Sequence, residues 1–164
     1  MEEVISSLVD FFSTKIPKEL IVFLISMMPI LELRGGMIAA ALLQVNKIHA
    51  FVLCLVGTLL PIPFILLFIK QILNWMKNTR FVKLVHKIEK KAEEKSKQVN
   101  KYKTLGLYIF VAIPLPGTGA WTGALVASFL DMPFKNAMLS IVAGSLTANI
   151  IMSIFSYNLL GAIL

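Results

Sequence analysis

Charge-free apolar runs, and the breaks between them, organise this chain. Five runs without Asp, Glu, Lys or Arg cover residues 20–31, 35–46, 48–69, 104–130 and 136–164. A helix crossing the hydrocarbon core needs about 20 apolar residues, at about 1.5 Å of rise each. The 22-residue run 48–69 and the 29-residue run 136–164 meet that length. The runs 20–31 and 35–46 hold 12 residues each and would reach only about 18 Å. Between them stands Glu32-Leu33-Arg34-Gly35-Gly36, a charged, glycine-bearing break. Run 104–130 is long enough to span, but Pro114-Leu115-Pro116-Gly117-Thr118-Gly119 interrupts its middle. Pro and Gly there remove helical hydrogen bonds and permit a sharp reversal.

Internal repetition sharpens this picture. Sliding the sequence by 87 residues aligns 29–68 with 116–155 without a gap. The identities are Pro29/Pro116, Gly36/Gly123, Ala40/Ala127, Leu43/Leu130, Ala50/Ala137, Gly57/Gly144, Leu59/Leu146 and Phe68/Phe155, and the matched Pro and Gly weigh most. Two topologies fit. In one, each unit is a re-entrant helical hairpin followed by one transmembrane helix. Residues 20–31 dip in, turn at 32–36 and return through 37–44, and 48–69 then cross. The second unit repeats this with 104–113, 114–119, 120–130 and 133–158. One crossing per unit inverts the second repeat relative to the first. In the other topology, 20–45 and 104–130 each cross once, giving a four-helix protein. The first is the preferred expectation: an all-α integral membrane protein of two inverted repeats joined by a basic cytoplasmic helix. Its single domain, 1–164, divides into 1–16, 17–76, 77–103 and 104–164.

Composition agrees. Hydrophobic residues make up 57% and charged residues 15%, against roughly 45–50% and about 25% in soluble domains. A soluble enzyme and a disordered chain are excluded. Sixteen Lys and Arg against nine Asp and Glu give a net charge of +7, and eleven of the basic residues fall in 70–103, beside three Glu. That clustering next to apolar runs reads as cytoplasmic orientation rather than nucleic-acid binding. Phe81, Val85, Ile88, Ala92 and Val99 recur there at helical spacing, so the connector is either a solvated orienting helix or one resting on anionic headgroups. In residues 1–16 the pairs Val4/Ile5, Leu8/Val9 and Phe11/Phe12 make an apolar stripe suited to an interfacial amphipathic helix, without the basic start of a signal peptide. Cys54 is alone, no Cys/His cluster exists, and no cofactor or metal is expected.

Glu32 and Arg34 are the residues that stand out. Charge at the bilayer centre costs at least about 2.5–3.5 kcal/mol per residue, so such residues are functional candidates. A return helix starting at Gly35/Gly36, and another near Gly119/Ala120, would aim free N–H groups and about half a positive charge each at an anion. Two inverted tips would meet near the midplane, with Arg34 adding a planar cation able to grip phosphate. Thr118 and Thr122 offer hydroxyls and Trp121 an N–H. A desolvated Glu32 favours its neutral form and can exchange a proton. Asn149, Thr147, Thr58 and Ser145 line the path or bond between helices. Asp131, ahead of Pro133, reads as the cap of the following helix.

At two motifs the chain resembles a known family. Pro29-Ile30-Leu31-Glu32-Leu33-Arg34-Gly35-Gly36 and Pro114-Leu115-Pro116-Gly117-Thr118-Gly119-Ala120-Trp121-Thr122-Gly123 look like the paired signatures of the small multidrug export proteins. The first departs from the usual pattern, having Met37-Ile38-Ala39 where a proline often follows. More distantly, the layout is similar to DedA-like membrane proteins, which implies movement of lipid phosphates and a role for hairpin acidic and basic residues such as Glu32 and Arg34.

The expectation is a multi-pass cell-membrane transporter working by alternating access, homodimeric, moving an amphiphilic anion such as a lipid-linked phosphate. Glu32 couples protons; Arg34, Gly35, Gly36, Pro116, Gly117, Thr118, Gly119, Trp121, Thr122 and Asn149 bind substrate. Partners are membrane lipids, with anionic headgroups at the connector. One rival is a proton-driven exporter of organic cations, with Trp121 stacking on the cation. Another is a non-transporting scaffold acting through the connector. No enzyme is expected, since no nucleophile set, paired carboxylates or metal cluster is present.

Overall fold

The computed structural model describes residues 17–77, 82–100, 103–115 and 117–161. The expected amphipathic segment 1–16 and the candidate Pro116 lie outside them. Eight helices and no strand occur among the described residues: α1 (Lys18–Met27), α2 (Glu32–Leu42), α3 (Lys47–Leu59), α4 (Ile62–Lys77), α5 (Val82–Asn100), α6 (Lys103–Ala112), α7 (Ala120–Phe129) and α8 (Phe134–Gly161). Each of the two proline-marked runs forms a pair of short helices with a break, not one continuous helix. The stretches Lys47–Ile69 and Phe134–Asn158 are apolar and long enough to cross a bilayer. Val52, Phe64, Leu67, Leu139, Ile150 and Phe155 lie exposed along them. So much apolar surface suits lipid rather than water. This is a helical membrane protein.

The chain forms two compact units, residues 1–60 with 145–164, and residues 61–144. In the first, α1, α2 and α3 pack on one another. Ile21, Val22 and Ile25 of α1 join Leu33, Met37 and Ala40 of α2, Ala50 and Cys54 of α3, and Ala148 and Met152 of α8 in one buried cluster. Small residues let the helices come close. A Cβ added at Gly36 would collide with Ser26 Oγ and lie 2.9 Å from Cys54 Sγ; one at Gly57 would lie 2.8 Å from the Phe23 carbonyl oxygen. Polar ties between side chains and backbone also hold this unit. Thr58 Oγ1 donates to Ser26 O at 3.1 Å, Lys18 Nζ to Leu43 O at 3.0 Å and Tyr157 Oη to Val45 O at 2.6 Å.

In the second unit α5 packs against α4, α6 and α7. The connector is therefore docked through its apolar stripe, with Val85 and Ala92 buried, rather than solvated all round. Ser140 Oγ donates to Thr104 O at 2.8 Å. A Cβ at Gly123 would lie 2.7 Å from Val111 Cγ2, and one at Gly144 2.9 Å from Tyr108 O.

The local geometry of the first unit recurs in the second at the same offset as the sequence identities. Helix α2 ends at Leu42 and α7 at Phe129; α3 begins at Lys47 and α8 at Phe134. Both short helices close with the same cap: Val45 N donates to Ala40 O at 2.9 Å and Met132 N to Ala127 O at 3.0 Å. Between them Gln44 takes φ 55° and Asp131 φ 50°, the left-handed residue that ends a helix in a Schellman motif. Asp131 thus terminates α7, a role that the expectation of a cap for α8 did not include. Its aligned partner is Gln44, whereas the capping residue of the first unit is Asn46, which accepts from Ile48 N at 2.9 Å.

Candidate functional site

The first tip grows from Pro29. The residue before a proline is driven to extended backbone, and Met28 takes φ −70°, ψ 134°, ending α1. Residues 28–31 form the turn, with Ile30 85% exposed at its apex, and Glu32 N donates to Met28 O at 2.9 Å. Helix α2 begins at Glu32, not at Gly35/Gly36. The turn therefore lies before the charged break. Gly35 N already donates to Leu31 O at 2.9 Å, and Gly36 serves close packing on Ser26. The glycine pair opens space between helices instead of presenting N–H groups to a ligand.

Glu32 sits in that first turn only 4% exposed, with φ 49°. Its aligned partner in the second unit is Gly119, which also has positive φ. A glutamate in the left-handed region is strained, and such strain clusters at functional positions. Its carboxylate lies at the positive end of its own helix and acts electrostatically on Arg34, which is half-buried with its Nε buried. A cation and an anion thus share the start of α2.

The second tip, in the second unit, is built differently. Helix α6 ends at Ala112. Thr118 Oγ1 donates to Ile113 O and Leu115 O, both at 2.8 Å, so its hydroxyl ties the loop together. Gly117 and Gly119 take φ 84° and 123°, which only glycine adopts freely. Gly119 precedes α7 without a side-chain cap, and no acidic residue stands in that helix's first turn. Beside the loop lies Lys95, whose Nζ is 3.9 Å from where a Cβ of Gly117 would sit. Trp121 and Thr122 follow in the first turn of α7, both half-buried. Asn149 belongs to the first unit, where its Nδ2 donates to Phe51 O at 2.8 Å.

Lys95 was missed by the sequence reading, which left it among the orienting lysines of the connector. A signal existed: it falls three residues after Ala92, on the stripe of Val85, Ile88 and Ala92 that docks. A lysine on such a stripe sits at the margin of the docked face, its stem able to run along apolar surface and carry the ammonium past it. Among the described residues no group of His, Cys, Asp and Glu could hold a metal ion.

Residues 32–151 match the family described as "Putative small multi-drug export protein". No curated protein and no solved structure matches the chain.

Proposed function

The chain belongs to this export family, and from that premise we propose a multi-pass carrier of the cell membrane that moves an amphiphile with an anionic head, such as a lipid-linked phosphate, coupled to a proton. Helices α1, α2, α6 and α7, of 10 or 11 residues, are too short to cross. We read each pair as a re-entrant hairpin and the repeats as inverted, the arrangement of many carriers. Non-helical backbone at membrane depth is tolerated where protein buries it or water reaches it. The exposed Lys87, Lys90 and Lys91 of α5 face anionic headgroups on the cytoplasmic side, and the working unit is a homodimer.

The observation that carries the anionic reading is Lys95 Nζ beside Gly117, next to a helix start that brings no acid of its own. An ammonium and a helix N-terminus together favour a phosphate. At the first tip, ionised Glu32 holds the charge of Arg34 and of the α2 start. A proton on Glu32 leaves that positive charge free for an anion, which couples anion binding at this tip to protonation.

The test is thermal unfolding of the detergent-purified protein with an alkyl phosphate or a cationic dye. At ten times Kd a ligand stabilises by about 1.4 kcal/mol, which is roughly 3–6 °C for a chain of this size. The alkyl phosphate should raise Tm by that amount, and Lys95→Gln should remove the shift. A cationic dye that protects instead would favour the second reading, an organic-cation exporter with the cation at Glu32, which the family description and the buried carboxylate support.

A further inference from the structure

Ser145, Asn149, Ser153 and Ser156 follow one another along α8 at intervals of four, four and three residues. That spacing places side chains on one helix face. All four belong to the first unit and are 0%, 0%, 4% and 2% exposed. Ser145 Oγ, Asn149 Oδ1 and Ser156 Oγ are buried without a hydrogen-bond partner. The helices of this protein contain the usual remedy. Ser26 Oγ donates to Val22 O at 2.7 Å and Ser128 Oγ to Ala124 O at 2.8 Å, each bonding back one turn. Ser145 and Ser156 do not. Buried polar atoms are otherwise paired almost without exception, and bound water is what pairs them where protein does not.

A source of water adjoins the file. Lys47, Ile48, Phe51 and Ser153 line an open cavity of about 230 Å³, room for several waters. Phe51, on its wall, is the residue whose carbonyl receives Asn149 Nδ2. Four residues of helix rise about 6 Å, the span of one water bonded at both ends.

We propose that α8 carries a water-filled inlet: water enters beside Lys47 and bridges Ser153, Asn149 and Ser145 toward the membrane interior, with Ser156 wetted from the same mouth. Over the eleven residue steps from Ser145 to Ser156 the file extends about 16 Å. Its four residues offer hydroxyls and an amide and no carboxylate. Such a lining suits water and a passing proton, not a resident metal ion, which would require anionic oxygens. Delivery of protons through it would serve the proton coupling proposed above; the inlet itself does not rest on that reading.

Single cysteines placed in the full chain carrying Cys54→Ala test it, in native membrane vesicles with silver ion as the probe. The readout is protection from later maleimide labelling in detergent. Silver should cut labelling at least ten-fold for Ser153→Cys, Asn149→Cys and Ser145→Cys. Labelling should stay full for Ile150→Cys and Ile154→Cys, whose side chains are exposed on the apolar side of the same turns. Should Asn149→Cys fail to insert, Ser145→Cys decides alone, because it marks the blind end. Protection at Ser153 only, or equal protection at Ile150 and Ile154, overturns the proposal. No substrate is needed, so the result is independent of what the protein carries.

Discussion

Gly57→Ala probes the close helix packing on which the first unit depends. The new Cβ would lie 2.8 Å from the Phe23 carbonyl oxygen and 3.0 Å from Ser26 Cβ. Both obstacles are backbone or Cβ, so no rotamer change clears them, and α3 must move away from α1 by about 0.6 Å to reach ordinary contact. Overpacking of that kind costs about 1–3 kcal/mol. The same shift stretches the neighbouring bond from Thr58 Oγ1 to Ser26 O, now 3.1 Å, beyond useful range, for about 1 kcal/mol more. Alanine returns about 0.8–1 kcal/mol of helix propensity over glycine. The packing term wins, leaving a loss of about 2 kcal/mol, which is roughly a 4–8 °C fall in Tm. Thermal unfolding in detergent reads it. Gly144→Ala, facing Tyr108 O at 2.9 Å and Val111 Cβ at 2.7 Å, should behave alike. An unchanged or raised Tm in Gly57→Ala would mean that propensity outweighs contact and that the helices are not so closely packed.

Two further outcomes follow from the repeated cap and from the proposed topology. Gln44→Gly and Asp131→Gly relieve left-handed backbone at equivalent helix ends, which costs a non-glycine residue about 1–2 kcal/mol. Glycine gives back about 0.5–1 kcal/mol of that in chain entropy, so each should gain up to about 1 kcal/mol, read as a higher Tm, whereas Gln44→Ala should not. A reporter fused after Leu164 should read outside the cytoplasm if each hairpin re-enters and each repeat crosses once; a cytoplasmic reading would end the inverted arrangement.

Much of the helix pattern was legible because length and charge are coarse signals. Runs 48–69 and 136–164 largely coincide with the stretches long enough to cross, Lys47–Ile69 and Phe134–Asn158, and the proline-glycine break at 114–119 is a break in the structure as well. The first tip was placed about four residues late. A glycine pair has two uses, reversal of the chain or close approach of helices, and the sequence does not distinguish them. Here Gly36 meets Ser26 and Cys54, while Glu32 takes the left-handed backbone expected of a glycine. The part of Asp131 in ending α7 is hidden for a similar reason, since the residue ending a Schellman cap is usually glycine and an aspartate before a proline resembles an N-cap. The place of Lys95 depends on the docking of α5 on its neighbours, a tertiary fact of which the sequence held only the interrupted stripe.

The central claim is that the chain moves an anionic amphiphile with the help of the charged start of α2, and flux through reconstituted vesicles tests it most directly. With a fluorescent phosphate-headed lipid, the wild-type chain should give protein-dependent transfer. Arg34→Ala should insert normally yet fall to the background of empty vesicles, and Glu32→Gln should bind the lipid but no longer respond to a pH gradient. Wild-type transfer by Arg34→Ala would contradict the account.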